Sequence, residues 1–148
     1  MTAEVTPDRI PISIVTGFLG SGKTTLISAL LRQPRMHGTA IVVNELGAVG
    51  IDDAIFAENL NPKDVMLLSN GCLCCSAGDD LALTLLQLTR RTSERPNRIL
   101  VETSGMADPV PLLQKLMGDP RIRNATRLDS VVATVDAVNG LRNLDEHD

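Results

Sequence analysis

The sequence has no tryptophan, no tyrosine and only two phenylalanines in 148 residues. That leaves little on which bases could stack. A net charge of −4 also removes the basic face that a nucleic-acid binder presents. No apolar run approaches the length of a membrane span, and Met1 to Arg9 is mostly polar, without a signal-peptide core. No cysteine falls outside residues 72–75, and three thiols packed so closely are not a disulfide framework. Both features point to a reducing compartment, and the cytoplasm is the expected one. Internal repeats, low-complexity tracts and interdomain linkers are also missing. With 43% hydrophobic residues, one globular domain with a real core is expected.

What is present is organised around Gly17-Phe18-Leu19-Gly20-Ser21-Gly22-Lys23-Thr24-Thr25, which matches G-x-x-x-x-G-K-[ST] without a gap. The β-branched run Ile12–Thr16 before it predicts a buried strand, and the apolar stretch Leu26–Leu31 after it predicts a helix. Strand, glycine-rich turn and helix form the setting in which this motif cradles phosphate. Backbone N–H groups turn inward at a positive helix end. Gly17, Gly20, Ser21, Gly22, Lys23, Thr24 and Thr25 are therefore the expected nucleotide-binding residues. Lys23 would reach the β- and γ-phosphates, and the Thr24 hydroxyl would ligate Mg²⁺.

Downstream, the pattern predicts a break at residues 34–38, a strand over Thr39–Glu45, and a mobile loop over residues 46–63 with one helical turn near residues 54–57. A strand at Val65–Leu68 and a turn at Ser69–Gly71 come next. A helix capped by Asp79 or Asp80 then runs to about Arg91. After a loop at residues 93–97 comes a strand over Arg98–Glu102. Pro109 opens a helix through Met117, closed by Gly118-Asp119-Pro120, and Val131–Asp136 is the last expected strand. Apolar strands alternating with helices predict an α/β fold of the P-loop NTPase kind: a mainly parallel sheet with helices on both faces. Ligands on such sheets sit at the carboxyl ends of the strands. Thr16, Glu45, the Ser69–Cys75 turn, Glu102 and Asp136 all end apolar runs, so all are expected at that edge.

Glu102-Thr103-Ser104-Gly105 ends a strand where an acid that holds Mg²⁺ through its water shell, or polarises the attacking water, belongs. Gly105 would let the backbone approach the γ-phosphate. Glu45 opens a glycine-spaced loop suited to reorganise with that phosphate, although a solvated loop acid has the same spacing. Cys72-Leu73-Cys74-Cys75 places soft ligands at a spacing that suits Zn²⁺, with Cu(I) or Co²⁺ also accommodated. Buried thiols or a redox pair remain open at this point. His37 and His147 are isolated and expected in solvent, and Arg90-Arg91 reads as a solvated helix end.

Taken together, the P-loop, residues 43–52, Asn70-Gly71-Cys72-Leu73-Cys74-Cys75 and residues 102–109 resemble the CobW family of P-loop GTPases, metallochaperones related to the nickel-insertion GTPases of urease and hydrogenase maturation. The resemblance spans about residues 11–136. It implies GTP and Mg²⁺ at Lys23 and Thr24, a Walker-B role for Glu102 with Mg²⁺ held via water, and a first switch at Glu45. Lys23, Glu45 and Glu102 are then the expected catalytic residues, and Cys72, Cys74 and Cys75 the ligands for Zn²⁺ or Co²⁺. The implied activity is a slow GTPase, stimulated by metal or partner, that couples nucleotide state to metal binding. Its partner would be a client metalloprotein or a metal-cofactor biosynthesis enzyme, with no nucleic acid or membrane, and a homodimer is compatible. Leu46 stands where the family usually has Phe, and Ala77-Gly78 replaces a segment that often carries an arginine. No N-K-x-D motif follows the last strand. Residues 1–148 are accordingly expected to be the N-terminal portion of one GTPase domain, with residues 1–9 disordered and the family's C-terminal domain absent. A sheet lacking its last strands would expose an edge and apolar surface. A small-molecule kinase would use the same P-loop but gives three clustered thiols no role. A passive metal-binding module with a vestigial P-loop is the other alternative.

Overall fold

The computed structural model describes residues 9–44, 65–68, 77–103 and 108–146. Five strands form one sheet: β1 (Ile10–Gly17), β2 (Thr39–Asn44), β3 (Val65–Leu68), β4 (Arg98–Glu102) and β5 (Thr126–Thr134). Their order is β3-β2-β4-β1-β5, and every pairing is parallel. The helices are α1 (Lys23–Leu31), α2 (Ala77–Thr89), α3 (Val110–Gly118), α4 (Pro120–Ala125) and α5 (Gly140–Glu146). A short 3₁₀ turn, Pro34–Met36, follows α1.

The strands are apolar at successive positions because each face has its own cover. Ile10, Ile12, Ile14, Ala40, Val42, Ile99 and Val101 pack against Leu81, Leu85 and Leu88 of α2, Leu112 and Leu116 of α3, and Ile122 of α4. The alternate residues Val15, Ile41, Val43 and Leu100 pack against Ile27 and Leu31 of α1 and against Met36. The crossover from β1 to β2 steps one way along the sheet, and those from β3 to β4 and from β4 to β5 step the other way. Right-handed connections stepping in opposite directions lie on opposite faces, which is the division seen. The steps diverge between β1 and β4, so the crevice for a ligand opens at their carboxyl ends.

Several elements differ from the sequence expectation. Helix α2 begins at Ala77, so Asp79 and Asp80 lie within it and do not cap it. The helix dipole accepts acids in its first turn as readily as at the cap. Gly118-Asp119-Pro120 closes α3 but opens α4 in the same step. The Asp119 N–H donates to Lys115 O at 3.0 Å, while the Asp119 carboxylate accepts from Arg121 N at 2.9 Å. Strand β5 starts at Thr126, five residues before the expected Val131. The charged pair Arg127 and Asp129, 2.9 Å apart, masks its beginning, and Asp129 is the extra residue of a register shift opposite Ile12 and Ser13. β5 is an edge strand, and Leu128, Val131 and Val132 on it are exposed. The strand ends at Thr134, two residues before Asp136. The carboxylate of Asp136 accepts from Val138 N at 2.8 Å and from Asn139 Nδ2 at 2.8 Å, fastening the turn that leads into α5. The expected loop at residues 46–63 lies outside the described residues.

The junction of α3 and α4 is pH-sensitive. Hydrogen bonds from the Arg121 side chain and backbone hold the Asp119 carboxyl well below its usual range, at about 2. A depressed pKa stabilises the fold fully above the unfolded value, about 4, and the contribution is lost as pH falls toward 2. The melting temperature of wild type is therefore expected to exceed that of Asp119→Asn at pH 7, with the gap closing between about pH 4 and 2. A gap that stays constant over that range would remove the charge from the explanation.

Candidate functional site

The site grows from the end of β1. Gly17 has φ +139°, and a Cβ at this position would run into Thr134 Oγ1 and Thr134 O and come within 2.8 Å of Ser21 Oγ. Only glycine allows so close an approach. Ser21 N donates to Phe18 O at 3.1 Å, turning the loop back. Gly22, at φ 91° and ψ 20°, is the N-cap of α1, and Leu26 N reaches its carbonyl at 2.9 Å. No acidic side chain stands in the first turn of α1, so the positive end of its dipole is open to an anion.

Lys23 begins α1 and is 7% exposed. Its Nζ folds back over the loop, donating to Gly17 O at 2.8 Å and to Phe18 O at 3.0 Å. The hydroxyl of Thr24 donates to Glu102 Oε1 at 2.8 Å. Gly20 is exposed with φ +76°, and Thr25 is exposed in the first turn of α1.

Glu102 ends β4, in register with Val15 of β1 and Val43 of β2, and is 6% exposed. Thr103, 1% exposed, prolongs the β4–β1 pairing beyond the strand. Its N–H donates to Val15 O at 3.0 Å and its hydroxyl donates to Thr16 Oγ1 at 3.0 Å. The structure thus brings Lys23, Thr24 and Glu102 together, although 78 residues separate the last two. Glu45, Cys72, Cys74, Cys75 and Gly105 lie outside the described residues, and Asp136 is engaged in its own turn.

Sequence reasoning missed Thr103 and Thr134. Each is a hydroxyl near the end of an apolar run, as Thr16 is. That pattern is visible in the sequence, but its partners are not. Thr134 Oγ1 donates to Thr16 O at 3.1 Å and lies 2.6 Å from Ser21 Oγ, tying β5 to the loop.

The chemical capacity of this corner follows from its parts. A cationic amine and a helix N-terminus can receive a polyphosphate. A hydroxyl whose proton is given to a buried carboxylate keeps its lone pairs for a cation. Both are hard oxygen donors, of the kind that suits Mg²⁺.

Comparison with known proteins gives the same outline. The zinc chaperone CobW of a Sinorhizobium species is 39% identical, matching 99% of this chain and 43% of that protein. The zinc chaperone YjiA of Escherichia coli K12 is 35% identical over 88% of this chain and 41% of its own length. The zinc-regulated GTPase metalloprotein activator 1 of Schizosaccharomyces pombe is 33% identical over 92% of this chain and 34% of its own. A crystal structure of the Zn(II)-bound YjiA GTPase from E. coli aligns with a TM-score of 0.62 at 29% identity, covering 95% of this chain and 44% of that one. The chain spans less than half the length of these relatives. Residues 11–148 match the family described as CobW/HypB/UreG, nucleotide-binding domain, and with the P-loop fold and these relatives the chain belongs to that family.

Proposed function

We propose that this protein is a GTP-hydrolysing metallochaperone, in which nucleotide state governs a transition-metal site. The carrying observation is the meeting of Lys23, Thr24 and Glu102 at one strand edge, where a phosphate chain and its cation would lie. Lys23 and the loop residues Gly17, Gly20, Ser21, Gly22, Thr24 and Thr25 receive the phosphates. Thr24 would hold Mg²⁺ directly and Glu102 would hold it through water. When bound, Mg²⁺ offsets charge on the phosphate oxygens. Glu102, with Glu45, positions the attacking water, and Gly105 gives the γ-phosphate close access to the backbone. The names of the zinc chaperones and zinc-regulated activators support zinc as cargo. Cys72, Cys74 and Cys75 supply its thiolates, leaving room for a fourth ligand, and Co²⁺ fits the same donors.

The recipient is a client metalloprotein or an enzyme of metal-cofactor synthesis. The cytoplasm is the proposed compartment; among the described residues no helix is long and apolar enough to cross a membrane. Residues 1–148 are the N-terminal portion of the nucleotide-binding domain, a reading supported by the exposed apolar residues of β5.

A Co²⁺ titration followed by thiolate charge-transfer absorbance tests the coupling, using the complete protein with Mg·GTP, Mg·GDP or no nucleotide. Binding is expected to be about tenfold tighter with Mg·GTP, within the usual range of coupling between sites, and to vanish in Cys74→Ala. Equal affinity in all three states would replace the gated carrier with a passive metal-binding module.

A further inference from the structure

The last described strand ends on the P-loop itself. Thr134 Oγ1 lies 3.1 Å from Thr16 O, to which it can donate, and 2.6 Å from Ser21 Oγ, a hydrogen bond in which either hydroxyl can be the donor. The Ser21 hydroxyl is thereby engaged with the end of β5. The missing Cβ of Gly17 is what lets Thr134 in: a side chain there would meet its hydroxyl, its carbonyl oxygen and Ser21 Oγ together. The loop is braced on this side by Thr134 and on the other by Lys23, whose amine is bonded to Gly17 O and Phe18 O. Thr134 and Ser21 are both only partly buried, so their hydrogen bonds compete with water and hold the loop only while the strand end is in place.

We propose that Thr134 is a positioning residue of the nucleotide site. Through Ser21 it holds the P-loop in its phosphate-receiving shape, so that the β5 end and the loop order together. Ser21 contributes its side chain as a strut, beside the backbone N–H it offers to the phosphates. Two residues beyond Thr134, Asp136 fastens the turn into α5, so a displacement of that turn lies only two residues from the loop's contact. The inference rests on the P-loop being a nucleotide site, as proposed above.

The test is a double-mutant cycle in the complete protein, reading the affinity for a fluorescent GDP analogue with Mg²⁺ at a temperature where every variant is folded. Thr134→Val keeps the shape and deletes the hydroxyl; Thr134→Ser keeps the hydroxyl. Thr134→Val and Ser21→Ala are each expected to weaken binding about fivefold, the scale of one neutral hydrogen bond. The double variant should be no worse than the weaker single, and Thr134→Ser should bind within about twofold of wild type. Additive losses, or equal affinities for the Val and Ser variants, would overturn the strut. Should Thr134→Val not fold, Ser21→Ala with Thr134→Ser still decides, because a wild-type affinity in Ser21→Ala also overturns it. Wild type that binds no nucleotide would overturn the nucleotide-site reading itself, and the positioning role with it.

Discussion

Lys23→Ala is expected to weaken Mg·GTP binding about 100-fold or more. The amine is buried at the start of α1 and donates to backbone carbonyls of the loop at 2.8 and 3.0 Å. It is therefore already stationed where two phosphates would sit, so little ordering remains to be done on binding. A hydrogen bond to a charged group contributes about 1.5–3 kcal/mol, and losing two exceeds the roughly 2.7 kcal/mol that corresponds to 100-fold. Isothermal titration calorimetry on the wild type and variant measures this directly. Lys23→Arg should be nearly as damaging, because a planar fork cannot replace a compact point charge inside the loop. A Kd within about fivefold of wild type would mean that backbone N–H groups and the helix dipole suffice to hold the nucleotide.

Glu102→Gln separates chemistry from binding. The amide matches the carboxylate in shape and its oxygen can still accept from Thr24, so the 2.8 Å contact should survive. What disappears is the negative charge. Without it the residue can neither anchor the water shell of a cation nor polarise a water molecule, effects on the order of 10²–10⁴ in rate. The turnover number for GTP hydrolysis is expected to fall at least about 100-fold, while Mg·GTP affinity changes less than about tenfold. Because the side chain is only 6% exposed, removing its charge also removes a desolvation cost. The nucleotide-free variant should therefore melt no lower than wild type. Single-turnover phosphate release and a melting curve give both readings. An unchanged turnover number would reduce Glu102 to a packing role at the end of β4.

The elements most legible in the sequence were those whose cause is local. β3 and β4 fall at Val65–Leu68 and Arg98–Glu102, as their uninterrupted apolar runs predict. The strand–loop–helix setting of the P-loop was equally plain, since it follows from three glycines and the runs on either side. Elements governed by a neighbour were less legible. The charged start of β5 is paired with Ile10, Pro11 and Ile12 of β1, and that partner overrides its poor strand pattern. Asp119-Pro120 looked like a stop because proline ends helices, yet the same two residues begin α4 once the chain has turned. Helix α5 leaves little mark in the sequence pattern because its N-terminal turn depends on the Asp136 side chain, which ends an apolar run and so reads as a residue of the ligand edge.

By itself the sequence determined that a phosphate loop exists and that the sheet around it is parallel and covered on both faces. Both depend on short-range patterns: left-handed glycines, a lysine at a helix start, unbroken apolar runs in β2, β3 and β4. The tertiary structure alone decided which side chains meet at the loop. Thr24 finds Glu102 across 78 residues and Ser21 finds Thr134 across 113, because β4 and β5 flank β1 on its two sides. Parallel strands carry no mark of their neighbours, since any buried apolar strand can lie beside any other. The order is settled by how crossovers and helices pack, and only then does a threonine at a strand end acquire a partner.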